Sequence, residues 1–131
     1  MAIAWDEYLA QVQERGQYPT AREAERSTRA VLATLGGHLG DTERQELAAQ
    51  LPAPCSPPLL DAVPATSPLG PPQFAEAVAL LIEGATPDTA HWDSGAVLST
   101  VADVVDADVL RRALDRLPPG YALLFGRTEP V

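Results

Sequence analysis

The sequence predicts an all-α protein, a helical bundle made of two tandem three-helix repeats joined by a proline-rich linker. Three observations predict this fold. Apolar residues recur at helical spacing. Glycines and prolines divide the chain into segments of helix length. The chain also resembles itself when it is shifted by 66 positions, which places Ala30 on Ala96. We expect one compact domain, since 131 residues allow a single buried core.

The internal repeat holds in one register, without a gap, from residue 8 to residue 52. The matched positions are mainly apolar residues and helix ends, which are the positions that define a fold. They include Ala30-Val31-Leu32 with Ala96-Val97-Leu98, Tyr8 with Phe74, Val12 with Val78, Thr20 with Thr86, and Leu51-Pro52 with Leu117-Pro118. The register therefore predicts a duplication.

The first copy, residues 1–52, is predicted to form helices over about 5–15, 20–35 and 41–51. Gly16 is the predicted end of the first helix. The second helix begins with a capping box, Thr20 followed three residues later by Glu23. Asp41 is the predicted cap of the third helix, and Pro52 prevents its continuation.

The second copy, residues 73–131, has the same order of capping and helix-ending residues. It is predicted to form helices over about 74–83, 86–103 and 106–117. Thr86 and Asp106 are the predicted caps, and Pro87 occupies the favoured first helical position. A short apolar tail, Tyr121 to Phe125, follows and is expected to pack on the body. Residues 53–72 form the linker, and the stretch from 52 to 72 holds eight of the 13 prolines. We expect it to be a loop, with a turn of helix near Leu59.

Composition excludes several classes of function. The net charge of −9 disfavours nucleic acid and anionic membranes, because both would repel an acidic surface. No apolar run approaches the roughly 20 residues that span a bilayer. The N-terminal residues are acidic and amphipathic, unlike a secretory signal. Cys55 is the only cysteine, so no disulfide forms within the chain. We expect a cytoplasmic protein.

Several segments resemble a known family. They are Asp6-Glu7-Tyr8, Arg22 to Arg26, Arg29 to Leu32, Thr34-Leu35, Leu47 to Pro52, and the closing segment Leu117 to Phe125. Together they resemble a bacterial family of uncharacterised proteins catalogued as domain of unknown function 2267. The resemblance covers nearly the whole chain and implies a duplicated helical bundle. It implies no catalytic residue, cofactor or substrate.

The residues capable of chemistry form no recognisable constellation. His38 and His91 are isolated, and a zinc site needs three or four ligands. Asp93 and Ser94 would not both converge on His91, because adjacent helix positions point about 100° apart. Ser94 alone could reach His91 at i+3, but no nucleophile elbow or oxyanion loop surrounds it. Nothing near Cys55 in the sequence lowers its pKa. We therefore predict no cofactor, no metal and no enzymatic activity, while keeping an enzyme that uses Arg and carboxylates in a cleft as a third hypothesis.

Two surfaces are candidates for binding. The helix after residue 73 is apolar on most sides, which is typical of a helix that is central or covered by a partner. Its predicted interaction residues are Phe74, Ala77, Leu80, Leu81 and Ile82. A cationic face on the second helix could bind an anion or an acidic partner, although such faces are usually only solvated. It consists of Arg22, Arg26 and Arg29.

These observations favour a non-enzymatic helical interaction module that binds a protein partner or itself. The alternative is a small-molecule or lipid carrier with an apolar pocket between the repeats. Such a pocket would be lined by Leu81, Ile82, Val97 and Val101.

Overall fold

The computed structural model describes residues 3–127 and confirms the all-α prediction. Within these residues the chain forms eight α-helices and one 3-10 turn, and no strand. The last four residues of the predicted second copy, 128–131, lie outside the described part, as do residues 1 and 2. The helices are α1 (Trp5–Gly16), α2 (Ala21–Gly36), α3 (Asp41–Gln50), α4 (Ser56–Leu60), α5 (Pro71–Leu81), α6 (Pro87–Val104), α7 (Ala107–Asp115) and α8 (Tyr121–Leu124), and the 3-10 turn is Ala53–Cys55.

The helices begin largely where the sequence predicts. Thr20 caps α2, and its hydroxyl accepts a hydrogen bond from the Glu23 backbone N–H at 3.3 Å. Thr86 caps α6 and accepts from the Thr89 N–H at 3.1 Å, while the Thr89 hydroxyl accepts from the Thr86 N–H at 2.9 Å. The two threonines therefore fix the starts of the two longest helices.

Other helix ends differ from the prediction. The left-handed residue after α1 is Gln17, with φ 54°, whereas Gly16 is still helical. A Cβ on Gly16 would lie 2.1 Å from the ring of Tyr18, so glycine is needed there for packing. The cap of α3 is Gly40, and not Asp41, because the Gly40 N–H donates to the Glu43 carboxylate at 3.0 Å. Asp106 stands at the cap of α7, but its side chain accepts from the Gln50 amide instead.

The proline-rich stretch is partly helical. α4 places Pro57 and Pro58 in its first turn, where the missing N–H groups would have no intrahelical partner in any case. The turn buries Leu59 completely, as the predicted turn of helix near this residue requires. α5 begins at Pro71, two residues inside the predicted linker. The prolines thus start helices here as well as ending them.

The core lies around α2 and α6, which pack against each other and against both α1 and α5. α3 and α7 pack together at one side, where Arg112 forms an ion pair with Glu46. The apolar tail folds back as predicted, since Tyr121 and Phe125 are buried. The ring of Phe74 meets that of Tyr121 edge to face, with centroids 5.5 Å apart.

Candidate functional site

Helix α5 divides the predicted interaction residues between the core and the surface. Leu80 is 88% exposed and Leu81 57% exposed, while Ala77 is half-buried. Phe74 and Ile82 are buried, so their prediction as surface residues is wrong. The reason is helix geometry: Phe74 and Val78 point at the core, whereas residues 77, 80 and 81 share the edge that faces away from it.

This exposed edge of α5 forms one wall of an open cleft of about 540 Å³. The C-terminal turns of α2 form the opposite wall, and α4 with the segment after it closes the third side. The lining is mostly apolar; its members are Ala33, Thr34, Gly37, His38, Pro57, Pro58, Asp61, Ala62, Val63, Ala65, Thr66, Ser67, Leu69, Ala77, Leu80 and Leu81. We call this cleft the apolar groove.

Two glycines let the third wall approach α2. A Cβ on Gly36 would lie 2.6 Å from the carbonyl oxygen of Leu59, and one on Gly37 would lie 2.6 Å from that of Val63. Only residues without a Cβ allow backbones to come this close. The Ala65 N–H also donates to the Gly37 carbonyl at 2.8 Å. The groove therefore depends on the Gly36-Gly37 pair that the sequence indicates only as a helix end.

The far end of the same segment is fixed by the second half of the chain. The Tyr121 hydroxyl donates to the Leu69 carbonyl at 2.7 Å, and the Tyr121 ring is buried. Burial raises the pKa of this hydroxyl, so it stays protonated and able to donate. The third wall of the groove is thus fixed to the rest of the molecule at three residues, Leu59, Ala65 and Leu69.

Polar groups are few in the groove. The His38 ring nitrogen Nδ1 lies 2.9 Å from the Thr34 carbonyl oxygen, one turn earlier on α2, so the imidazole occupies a free carbonyl at the helix C-terminus. The ring of His38 packs at a tilt against Phe74, with centroids 6.0 Å apart. Asp61 is the one carboxylate in the lining. The groove can therefore offer apolar contact and few hydrogen bonds.

The cationic face predicted on α2 is exposed at Arg22, Arg26 and Arg29. Arg29 pairs with Glu25 at 3.3 Å, one turn earlier. The face lies outside the residues that line the groove. Exposed charges of this kind are usually only solvated.

The residues considered for catalysis serve the packing of the helices. The Ser94 side chain is fully buried, and its hydroxyl donates to the Ala90 carbonyl at 2.7 Å. The Asp93 carboxylate accepts from the Tyr18 hydroxyl, whereas His91 is exposed on α6. Cys55 is buried, and burial raises the pKa of its thiol to about 12. A thiol in this state is a poor nucleophile at neutral pH.

Within residues 3–127, no group of three or more His, Cys, Asp or Glu side chains is arranged to hold a metal ion. In the same part of the chain, no helix combines the length and the apolar character needed to cross a bilayer.

The structure places three of the four residues named for a carrier pocket in the core. Val97 and Val101 are fully buried in the core, and Ile82 is also buried. Only Leu81 lines the groove. The residues that sequence reasoning missed lie in the linker, above all Val63, which is 84% exposed. An apolar valine among prolines was the available signal, but its neighbours in space come from α2 and α5, far away in the sequence.

A comparison with curated proteins gives no match. A family model described as "Uncharacterized conserved protein (DUF2267)" matches residues 5–124, which include all eight helices. The chain therefore belongs to the DUF2267 family.

Proposed function

We propose that this chain is a non-enzymatic interaction module that binds an apolar segment of a partner protein in the apolar groove. One observation carries the proposal. Within residues 3–127, three of the six large exposed hydrophobic side chains, Val63, Leu80 and Leu81, line this one cleft. A fourth, Leu60, lies on α4, which forms part of the wall.

Exposed apolar side chains gathered at one place are costly in water and mark binding surfaces. Here they surround a concavity, so a partner side chain could enter it while Leu80 and Val63 contact its flanks. Ala77, Leu80 and Leu81 stand at i, i+3 and i+4 on α5, which is the spacing by which one helix packs along another. The groove therefore fits a helical segment well.

We also propose that the bundle arose from two tandem copies of one three-helix unit joined by the linker. Helix limits support this proposal. Shifting α1, α2 and α3 by 66 positions gives 71–82, 87–102 and 107–116, against 71–81, 87–104 and 107–115 for α5, α6 and α7. Buried hydroxyls support it too, since Thr28 donates to Ala24 and its repeat mate Ser94 donates to Ala90.

Under this proposal, the groove has a smaller counterpart, a cleft of about 280 Å³ lined in part by Arg15 and Ser99, the repeat mates of Leu81 and Ala33. The repeat mates of Leu81, Gly37 and Asp61 are Arg15, Asp103 and Arg127. Both arginines pair with the Asp103 carboxylate, so charged side chains stand here at the positions that Leu81, Gly37 and Asp61 occupy at the groove. This difference between the two copies supports a specific role for the groove. Leu81 is an exposed apolar side chain, whereas its repeat mate Arg15 is a charged side chain in an ion pair.

Affinity capture tests the proposed function. The tagged chain is recovered from lysate of its own cells and its partners are identified by mass spectrometry. Leu80→Glu places a charge at the groove, and Leu123→Glu does the same at a leucine that is 66% exposed on α8, outside the groove lining. We expect one partner that is retained by the wild type and by Leu123→Glu, and lost by Leu80→Glu. Equal recovery with Leu80→Glu would show that the groove is not the surface.

A small apolar ligand is the second candidate occupant. The volume of about 540 Å³ falls within the usual range for ligand sites. The open shape and the exposure of Leu80 favour a protein segment, because a carried molecule would stay largely in water. Native mass spectrometry of the purified chain separates the two: a bound small molecule that is released by Leu80→Glu would favour the carrier. Sedimentation of the same sample reports self-association.

A further inference from the structure

We propose that the segment bound in the apolar groove is a cationic amphipathic helix. This inference rests on the proposed function and specifies its partner by chemistry. Apolar contact alone would accept any hydrophobic helix, so the choice of partner depends on what surrounds the apolar residues.

Carboxylates flank the groove. Asp61 lies in its lining, at the end of α4. On the other wall, Glu76 precedes Leu80 by one helical turn, and Glu83 lies in the turn after α5, two residues beyond Leu81; both are exposed. Within residues 3–127, no ion pair involves any of these three carboxylates. Three acidic groups are therefore free to meet cations of a partner.

We call Asp61, Glu76 and Glu83 the acidic rim. The Arg side chains of the chain do not neutralise the charge of this rim. Arg29 stands one turn before Ala33 on α2, but it is paired with Glu25. Arg116 follows α7 and lines a small neighbouring cleft with Gly37, His38 and residues 65–68, where it pairs with Glu43 at 3.5 Å. Arg111 and Arg112 are paired with Asp108 and Glu46. The whole chain carries a net charge of −9, so the field at longer range has the same sign as the rim.

An apolar groove with an acidic rim matches a helix whose apolar face is bordered by Lys or Arg. The apolar face enters the groove, and the basic side chains reach the carboxylates at its edges. A second copy of this chain would bring its own acidic rim into the contact, and nucleic acid or an anionic membrane would be repelled. The charges therefore favour a basic helix over these other occupants.

Two synthetic helices of about 18 residues, five turns long, test the inference. They share one leucine face, and their remaining positions carry Lys and Arg in one and Glu and Gln in the other. Each peptide is labelled with fluorescein, and its binding is measured by anisotropy. The proteins are the wild type, Leu80→Glu, Leu123→Glu, and a triple variant with Asp61→Arg, Glu76→Arg and Glu83→Arg.

We expect the cationic helix to bind the wild type and Leu123→Glu about tenfold more tightly than the anionic helix does. A tenfold difference in affinity corresponds to the free energy of several exposed ion pairs together. The preference should shrink as salt is added, because the rim is exposed. Leu80→Glu should abolish groove binding, and the triple variant should prefer the anionic helix.

Equal binding of both helices to the wild type, with both lost in Leu80→Glu, would overturn the cationic partner while leaving the groove as a binding site. A cationic helix that binds Leu80→Glu as well as wild type would show attachment elsewhere and would also overturn the inference. So would a cationic helix that does not bind the wild type, and in that case affinity capture alone decides the proposed function.

Discussion

Asp93 is a buried carboxylic acid at the contact between α6 and the loop that joins α1 and α2. Its carboxylate, on α6, accepts a hydrogen bond from the Tyr18 hydroxyl in the loop between α1 and α2. Burial raises the pKa of Asp93 above its usual 3.8, although the Tyr18 hydrogen bond and the positive charge of Arg26 act in the opposite direction. The folded state therefore binds a proton at Asp93 more readily than the unfolded state does.

This difference predicts a pH dependence. From 3.8 up to the raised pKa, the folded chain holds more protons at Asp93, so its stability falls as the pH rises through that window. Asp93→Asn removes the charge and keeps an oxygen that can accept from Tyr18. We expect its free energy of unfolding, relative to that of the wild type, to increase between about pH 4 and pH 7. Urea unfolding at several pH values measures it, and a difference that stays flat or decreases would contradict the account.

Two helical glycines differ in what surrounds them. Gly36, at the end of α2, faces the backbone of Leu59 and the Cβ of Ala62 at 2.6 and 2.8 Å from an added Cβ. Gly95, inside α6, has no atom within 4 Å of such a Cβ. Alanine is otherwise the better helix former.

We therefore expect Gly95→Ala to stabilise the protein by about 0.5–1 kcal/mol, because it restricts the unfolded chain without a clash. Gly36→Ala should destabilise it by about 1–3 kcal/mol, since α4 must move away. Thermal and urea unfolding of the two variants give the comparison. If Gly36→Ala were as stable as Gly95→Ala, α4 would not pack on α2 as described.

The anchoring of α4 makes a second comparison possible. Leu59 is fully buried, whereas its neighbour Leu60 is 43% exposed. Leu59→Ala should cost about 2–5 kcal/mol of unfolding free energy, and Leu60→Ala less than about 1 kcal/mol. Equal small losses in urea unfolding would mean that the proline-rich stretch is a free loop.

The sequence predicts where the helices lie more completely than it predicts which face of each helix is buried. Thr20, Thr86 and Pro87 mark helix starts because local hydrogen bonding and the fixed φ of proline act within a few residues. α5 begins earlier than the sequence predicts, because Pro71 and Pro72 in a proline-rich run indicate a loop equally well. Nothing local distinguishes the buried Phe74 from the exposed Leu80, since packing partners decide both.

The groove could not be predicted for a related reason. Its walls come from α2, from the segment after α4 and from α5, which meet only in the folded molecule. In the sequence, Leu80 and Leu81 are apolar residues in addition to those that one buried helix face requires. Both of them line the groove. Val63, Gly37 and the acidic rim become a site only through the close approach at Gly36-Gly37.

The proposed duplication accounts for how the halves meet. Glu46 on α3 and Arg112 on α7 occupy the same repeat position, and they pair with each other. In addition, α2 packs against α6, its counterpart, while α1 contacts α6 and α5 contacts α2. This is the pattern of two similar units facing each other, as in an isologous contact. Against that background, the apolar groove of about 540 Å³ differs from its counterpart of about 280 Å³, where Arg15 replaces Leu81 and pairs with Asp103.

A partner protein bound in the groove would lie within reach of a crosslinker at position 80, and photocrosslinking in the cell reveals such a contact. A benzophenone amino acid is placed at Leu80 in one variant and at Leu123 in another, both being exposed leucines. We predict one discrete crosslinked protein for position 80 and none for position 123. Crosslinks of equal yield at the two positions, or a partner captured only from position 123, would contradict binding at the groove.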